Sequence, residues 1–341
     1  MADQYKIGLD FLQYDRTLGV HAMEGRGFYY PVDSAIGPDG RIYGLNRGHD
    51  GDNRGVRVCI LDLDSSFFGS FGSWGEGAGQ FIWPAAIAID GDNKVYVADE
   101  YLDRISVFDA EGNFLAKWGC TGSGQGQIRR PCGLSFDANN DLCVSDHHNN
   151  RVQKFTSDGD YLFGFGSAGS QEGQLNLPWG LTVAPSGDIY VADWRNDRIQ
   201  RFTAGGEFVA GYGTPGEGEG ELNRPASIAV DGEGYMFVAN WGNERVEVFD
   251  PDGQFVTNLR GDATVSPWAQ EFLDANMDEA KLRANSDLLG AVNIRGNSEH
   301  EASSHIEHLF WSPISVKLDG IDRLFVTERN RHRIQIYRKS S

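Results

Sequence analysis

Six prolines in this chain are each followed by the same pattern of residues: Pro31, Pro84, Pro131, Pro178, Pro225 and Pro313. The four from Pro84 to Pro225 stand 47 residues apart without slippage. Fifteen positions after each proline comes a polar residue: Asn46, Asp99, Asp146, Asp193, Asn240 and Glu328. In the last five copies an arginine follows five positions later, which predicts a repeated structural ion pair. Chance does not keep such a register, so the chain consists of six copies of one unit.

The copy from Pro178 to Gly213 shows what the unit is. It contains four short runs rich in β-branched and aromatic residues, bounded by Gly, Asp or Asn, as in an antiparallel four-stranded meander. Such a sheet cannot bury both of its faces alone and needs neighbours. We therefore predict an all-β fold, a six-bladed β-propeller in which residues 1–341 form a single domain, with blade repeats starting near residues 31, 84, 131, 178, 225 and 313.

The two ends of the chain predict how the ring closes. Gly19 lies twelve residues before Pro31, as Gly72 lies twelve before Pro84, so Tyr14 to Gly19 is a fourth strand without its first three. The last repeat has the opposite defect, because the chain stops soon after Tyr337. We expect the N-terminal strand to complete the C-terminal blade and remove the open sheet edges.

The repeated motifs are Pro-x-Gly-Leu, Val-Ala-Asp, Asn-x-Arg-Val and Phe-x-x-x-Gly. This set resembles the NHL repeat family of six-bladed propellers, and the resemblance covers nearly the whole chain. Among NHL-type enzymes, the peptide-amidating lyase has zinc-binding histidines directly after several of these prolines. Those positions here are Val32, Ala85, Cys132, Trp179, Ala226 and Ile314, so the resemblance does not carry that zinc mechanism over.

Composition restricts the partners. A net charge of −19 disfavours nucleic acid and anionic membranes, which need basic surfaces. The four cysteines lack metal-binding spacing. There is no run of about 18 apolar residues and no signal peptide, so we expect a soluble, cytoplasmic protein.

The largest departure from the repeat is an insertion before blade six. Pro313 comes 52 positions after Gly261, where the other connections take twelve, and the added segment contains the helix-start pair Ser266-Pro267. The spacing of apolar residues predicts a partly helical insertion, and we expect residues 262–309 to form a lid over the channel. On a helix, His305 and His308 project together, as ligands of a divalent metal can, with His147 or His148 as further ligands. Solvated histidines on an exposed helix are the alternative.

The loops after the second strands share a face with the blade-to-blade connections, where propeller ligands commonly sit. The candidate catalytic residues are Asp33, His147, His148, Lys317 and Glu328. The candidate substrate-binding residues are Glu100, Tyr101, Arg130, Trp179, Trp194, Arg195, Trp241 and Arg329. Asp33 and Lys317 are charged exceptions among small channel residues, so they form either a structural ion pair or a base beside a cation. The tryptophans equally fit plain packing between blades.

Five arginines fall on the same face: Arg47, Arg130, Arg195, Arg224 and Arg329. We expect them to lack acidic partners and to bind a small anion with an aromatic or alkyl body. The alternative is that each pairs with one of the 49 acidic residues.

Two functions stay open, an enzyme (lyase or hydrolase) acting on a small anionic molecule, and a non-catalytic protein-interaction propeller. No Ser-His-Asp, Gly-x-Ser-x-Gly or phosphate-loop pattern specifies the reaction.

Overall fold

The computed structural model describes residues 11–49, 52–288, 298–321 and 323–339, and its strands form six four-stranded antiparallel sheets. The first strand is β1 (Leu12–Leu18), followed by the strands of blades one and two: β2 (Pro31–Ile36), β3 (Ile42–Asn46), β4 (Arg57–Leu61), β5 (Phe67–Phe71), β6 (Pro84–Ile89), β7 (Val95–Asp99), β8 (Arg104–Phe108) and β9 (Phe114–Trp118). Blades three and four contain β10 (Pro131–Phe136), β11 (Leu142–Asp146), β12 (Arg151–Phe155), β13 (Tyr161–Phe165), β14 (Leu181–Val183), β15 (Ile189–Asp193), β16 (Arg198–Phe202) and β17 (Phe208–Tyr212).

A small parallel pair, β18 (Thr214–Pro215) and β19 (Glu221–Leu222), lies in the connection to blade five. Blade five contains β20 (Pro225–Val230), β21 (Met236–Asn240), β22 (Arg245–Phe249) and β23 (Phe255–Leu259). Helices α1 (Pro267–Ala275), α2 (Met277–Ala284) and α3 (Glu299–His305) follow in the insertion. Blade six contains β24 (Pro313–Leu318), β25 (Arg323–Glu328) and β26 (Arg333–Lys339). None of the three helices in these ranges has the length and apolar character that crossing a bilayer requires.

The N-terminal strand closes the ring as predicted. Blade six has the strand order β1-β26-β25-β24, with Leu12 opposite Lys339 and Leu18 opposite Ile334. The backbone groups of β26 that would otherwise form an open edge are therefore paired.

The structural ion pair forms in blades three, four and six. Its nitrogen–oxygen distances are 2.7 Å for Arg151 and Asp146, 2.8 Å for Arg198 and Asp193, and 2.6 Å for Arg333 and Glu328. In blade two, Arg104 instead donates to the backbone carbonyls of the preceding connection.

Blade five also contains an arginine–carboxylate pair, but its carboxylate lies on the third strand of the blade instead of the second. Asn240 stands where the carboxylate would be, and Arg245 pairs with the buried Glu247. In blade three the position of Glu247 is Gln153, which donates to the Asp146 carboxylate at 3.0 Å. Carboxylate and amide have thus exchanged strands.

The core lies between neighbouring blades, where an outer-strand aromatic ring covers a turn glycine of the next blade. A Cβ atom at Gly112, whose φ is +87°, would come 2.3 Å from the Phe71 ring. Gly159 faces Trp118 in the same way, at 2.6 Å. These turns need glycine both for the left-handed backbone and for the close contact.

The seam between blades six and one departs from this rule. Leu18 takes the aromatic position and Ser65, with φ +62°, takes the glycine position. The missing ring comes from the insertion, because the buried Trp268 contacts Phe67 and its indole N–H donates to the Ser65 carbonyl at 2.7 Å. The predicted cap is present, since the Ser266 side chain accepts the Ala269 N–H.

The described insertion lies at the edge of the ring. Helix α1 packs on the blade six–blade one seam, and Arg26 there pairs with Glu271. Helix α3 rests on blades five and six, where His300 contacts Glu244 at 2.6 Å. Hydrogen bonds and ion pairs of residues 262–288 and 298–309 join the insertion to blades five, six and one. The part from 289 to 297 lies outside the described residues.

Candidate functional site

One position of the repeat forms a ring around one end of the channel. It is the residue directly after each second strand: Arg47, Glu100, His147, Trp194, Trp241 and Arg329. In blades three, four and five it begins a short 3₁₀ turn, which holds its backbone on the rim. The first strands start at this same end, and we call it the connection end.

A buried ion pair joins blades one and two at the connection end. Two Arg47 nitrogens lie 3.0 and 3.2 Å from the two Glu100 carboxylate oxygens. Glu100 is 6% exposed, and the Cys132 thiol lies 3.5 Å from its Oε1. Burial raises the pKa of Cys132, so the thiol stays protonated. The expectation that Arg47 lacks an acidic partner is therefore wrong, because a neighbouring blade supplies the carboxylate.

Trp83 is a site residue that the sequence analysis missed. Its ring lies 5.3 Å from the Arg47 guanidinium carbon and 5.6 Å from that of Arg130, and 5.3 Å from the Tyr101 ring. Both distances are those of cation–π contacts, so one indole contacts two arginines. Aligning the residues that precede the six prolines would have found it, because Trp83 and Arg130 occupy the same position in adjacent blades.

His147 is buried among the aromatic side chains at the connection end. Its Nδ1 lies 3.0 Å from the Pro178 carbonyl oxygen, which can only accept, so Nδ1 carries the hydrogen and Nε2 is left as an acceptor. Its ring contacts Trp179 and His148, each at 5.2 Å between centroids. Burial lowers the pKa of His147 to about 4, and burial also lowers the pKa of His148. His147 is therefore a neutral imidazole near pH 7.

Trp194 repeats the arrangement of Trp83 in blade four. Arg195 and Arg224 lie over its ring at 5.2 and 5.4 Å, and Trp179 lies 5.7 Å away. We call these residues together the arginine–tryptophan arc: Arg47, Trp83, Arg130, Trp179, Trp194, Arg195 and Arg224. In the described part of the chain no carboxylate comes within 4.0 Å of the guanidinium of Arg130, Arg195 or Arg224.

The structure also brings Asp33 and Lys317 together. The Lys317 ammonium lies 3.4 Å from Asp33 Oδ1 in the channel interior. The carboxylate of Asp33 accepts hydrogen bonds from the backbone of Ser34 and Ile87, both at 2.9 Å, and from the Ser315 hydroxyl at 2.5 Å. These bonds join the first strands of three neighbouring blades, blades six, one and two.

Three other predicted residues lie apart from this group. Glu328 is fully buried, pairs with Arg333 and accepts from Gln335 at 2.7 Å, which is the structural role of the repeat. Trp241 and Arg329 occupy their ring positions in blades five and six, and within the described ranges no aromatic or cation–π contact joins them to the arc.

The histidines of the insertion do not share a helical face. Helix α3 ends at His305, because Ile306 is extended and packs with Ala302 and Leu309. His308 lies beyond the helix, where Arg333 holds the neighbouring carbonyls of Glu307 and Leu309. Among the residues that the structure places, no three His, Cys, Asp or Glu side chains are grouped to hold a metal ion.

A large cavity lies at the other end of the channel. It has a volume of about 870 Å³ and is lined by the last residues of the first strands and the turns that follow them. Of the predicted site residues, Lys317 alone is in its lining. The two ends of the channel thus present different chemistry.

Six four-stranded blades around a channel, closed by an N-terminal strand, define a six-bladed β-propeller. Residues 129–155 and 175–202, in blades three and four, match the NHL repeat family, which supports the resemblance of the repeats to that family. None of the curated proteins matches the sequence.

Solved structures share the fold at low identity. Virginiamycin B lyase from Staphylococcus aureus, solved with quinupristin, is 12% identical with a TM-score of 0.57, over 96% of this chain and 99% of that chain. A protein of unknown function from Bacteroides thetaiotaomicron is 15% identical with a TM-score of 0.60, over 96% of this chain and 73% of that chain. At such identities the similarity establishes the fold alone.

Proposed function

We propose that the protein is an enzyme, a lyase or hydrolase, that binds a small anionic molecule at the connection end of its channel. The observation that carries this proposal is the arginine–tryptophan arc. In a chain of net charge −19, Arg130, Arg195 and Arg224 stand on one rim without a carboxylate partner among the described residues. Guanidinium groups that have no carboxylate partner within the protein can bind the carboxylate or phosphate of a ligand through paired hydrogen bonds.

The arc also fits the rest of such a ligand. Trp83, Trp179 and Trp194 offer apolar faces beside the arginines, so an anion with an aromatic or alkyl body meets both kinds of partner. The tryptophans also hold the guanidinium groups in place before the ligand arrives, which lowers the entropy cost of binding.

His147 is the group best placed to move a proton. Its Nδ1–H is fixed on the Pro178 carbonyl, so a proton taken from a substrate would go to Nε2. An anion bound beside the imidazole favours the charged form and raises the pKa of His147 from its value of about 4 towards neutrality. Substrate binding would therefore strengthen the base.

Comparison with known proteins supports this proposal only by analogy. Virginiamycin B lyase shares the six-bladed fold, and its name states a lyase activity. A common fold does not transfer a reaction between chains that are 12% identical.

A protein-interaction propeller is the second candidate, and one observation favours it. The outer strands of blades one to five each leave one large apolar side chain 40–50% exposed: Phe68, Leu115, Leu162, Val209 and Val256. Their periodic placement forms an apolar belt around the ring.

Screening small carboxylates and phosphates by thermal shift, followed by calorimetry, tests the proposal. Arg130→Met and Arg195→Met should each weaken a bound anion about tenfold or more without changing the unfolding midpoint of the free protein. Arg201→Met is the matched control, because Arg201 also stacks on an aromatic ring, Tyr190, but pairs with Asp188. If no anion of the screen loses affinity in Arg130→Met or Arg195→Met, the proposed site is contradicted.

Turnover needs a separate variant. With an anion identified, His147→Asn should leave binding within about threefold and reduce turnover by a factor of about 100 or more. Binding without turnover in the wild-type protein would retain the site but reject the enzyme.

A further inference from the structure

We propose a second ligand site, in the cavity opposite the connection end, that binds a monocarboxylate with an apolar body. It shares no residue with the arginine–tryptophan arc and does not depend on the function proposed for that arc. The cavity volume of about 870 Å³ exceeds what a small organic molecule needs.

The cavity wall is apolar because of one position of the repeat. The residue five places after each blade proline lines it, and all six are large or branched: Ile36, Ile89, Phe136, Val183, Val230 and Leu318. All but Val230 are only partly buried, so their apolar surface faces the cavity. Partly exposed side chains of this kind, gathered on one concave wall, gain free energy when an apolar ligand covers them.

One position further inside, one of the six blades contributes a cation to the cavity wall. The residue four places after each proline is small or neutral in five blades and is Lys317 in blade six: Ala35, Ala88, Ser135, Thr182, Ala229 and Lys317. Asp33 already accepts three hydrogen bonds and lies 3.4 Å from the ammonium. Within the described residues the ammonium makes no hydrogen bond, so its donors are available to a carboxylate.

The rim of the cavity limits the ligand to one negative charge. Asp137 pairs with Lys154 at 2.5 Å, but Asp231 and Glu233 share one cation, Lys339, each at 2.7 Å. The cavity lining as a whole carries more carboxylates than ammonium groups. A ligand must therefore place its charge deep, at Lys317, and leave its uncharged end near the rim.

Calorimetry with three probes of equal chain length tests this assignment. Octanoate has the predicted charge and body, 1-octanol lacks the charge, and octanedioate places a second charge at the rim. We expect octanoate to bind at least about tenfold more tightly than either of the others. Equal binding of octanoate and octanol, or no binding of octanoate, would overturn the proposal.

Two variants locate the binding. Lys317→Met should weaken octanoate at least about tenfold and leave octanol unchanged. Thr182→Phe fills the cavity without a change of charge, and should abolish binding of both; it keeps the test decisive if Lys317→Met does not fold. Arg195→Met, at the other end of the channel, should retain the octanoate binding that Lys317→Met weakens. If octanoate binding follows Arg195 and not Lys317, or is unchanged in folded Thr182→Phe, the proposed site is rejected.

Discussion

The Nδ1 atom of His332 accepts a hydrogen bond from the backbone N–H of Tyr30 at 2.9 Å, across the seam where the last blade meets the first. The same position of the repeat makes the same bond in blades two, three and four. There Asp103, Asn150 and Asp197 accept the N–H of the residue that precedes the next blade proline, at 2.7, 2.8 and 2.7 Å. The seam is thus closed by a histidine, which can accept this bond only while its imidazole is neutral.

This bond predicts a pH dependence of stability. Burial, together with the nearby His21, lowers the pKa of His332 from 6.5 to about 4 in the folded protein. The unfolded chain therefore binds a proton first, so this stabilising contribution is complete above pH 6.5 and is lost as the pH falls to 4. We expect His332→Asn, which copies Asn150, to flatten the dependence of unfolding free energy on pH in this window by up to about 1 kcal/mol per pH unit.

Urea unfolding at pH 7, 6, 5 and 4 measures this effect. His305→Asn is the control, since His305 is exposed at the end of α3 and should leave the pH dependence unchanged. A parallel profile for His332→Asn and wild type would show that the bond does not govern acid stability.

Trp268 should be the most costly residue of the insertion to remove. It is 2% exposed and replaces the outer-strand ring that the seam lacks, so Trp268→Ala should lower the unfolding free energy by about 3 kcal/mol or more. Phe272→Ala on the same helix removes a ring that is 53% exposed, and should change it by less than about 0.5 kcal/mol. Equal effects in denaturant unfolding would mean that α1 does not stabilise the seam.

The exchanged carboxylate of blade five predicts a strong coupling. Glu247→Gln leaves Arg245 without its buried partner and should destabilise the protein by about 3 kcal/mol. Adding Asn240→Asp restores the arrangement of Asp146 and Gln153, so the double variant should return to within about 1 kcal/mol of wild type. Additive losses in a double-mutant cycle would show that the two positions do not share one role.

Removal of the closing strand should open the ring. A chain beginning after Gly19 leaves β26 unpaired, and we expect aggregation or an unfolding midpoint at least about 10 °C lower. A synthetic peptide of residues 11–20 should restore the midpoint, whereas the same peptide with Leu12→Asp and Leu18→Asp should not. A truncated protein with unchanged melting would contradict the role of β1.

The blades and their closure could be predicted because they depend on local pattern. The sequence directly shows the 47-residue register, the turn glycines, and the fourth strand before Gly19 that lacks its first three strands. The start of α1 could also be predicted from local sequence, because the pair Ser266-Pro267 indicates the helix that Ser266 caps. Each of these is confirmed.

The details of the site could not be predicted in this way because they join different blades. Arg47 is paired with Glu100 from the next blade, and Trp83 contacts two arginines, Arg47 and Arg130, that come from different blades. Trp268 contacts the turn at Ser65, about 200 residues away in the chain, and no periodicity of the sequence indicates that contact. The cavity around Lys317 depends on how far six strand ends diverge, which is a property of the whole ring.

The closing strand has a further consequence during synthesis. Residues 12–18 leave the ribosome first and pair with residues 333–339, which leave it about 320 residues later. At the usual pace of translation the early strand waits roughly 15 to 60 seconds for its partner. Its buried leucines, Leu12 and Leu18, have no β26 to cover them during that interval. The ring can therefore close only after the last strand has been synthesised, so closure is a late, post-translational step of folding.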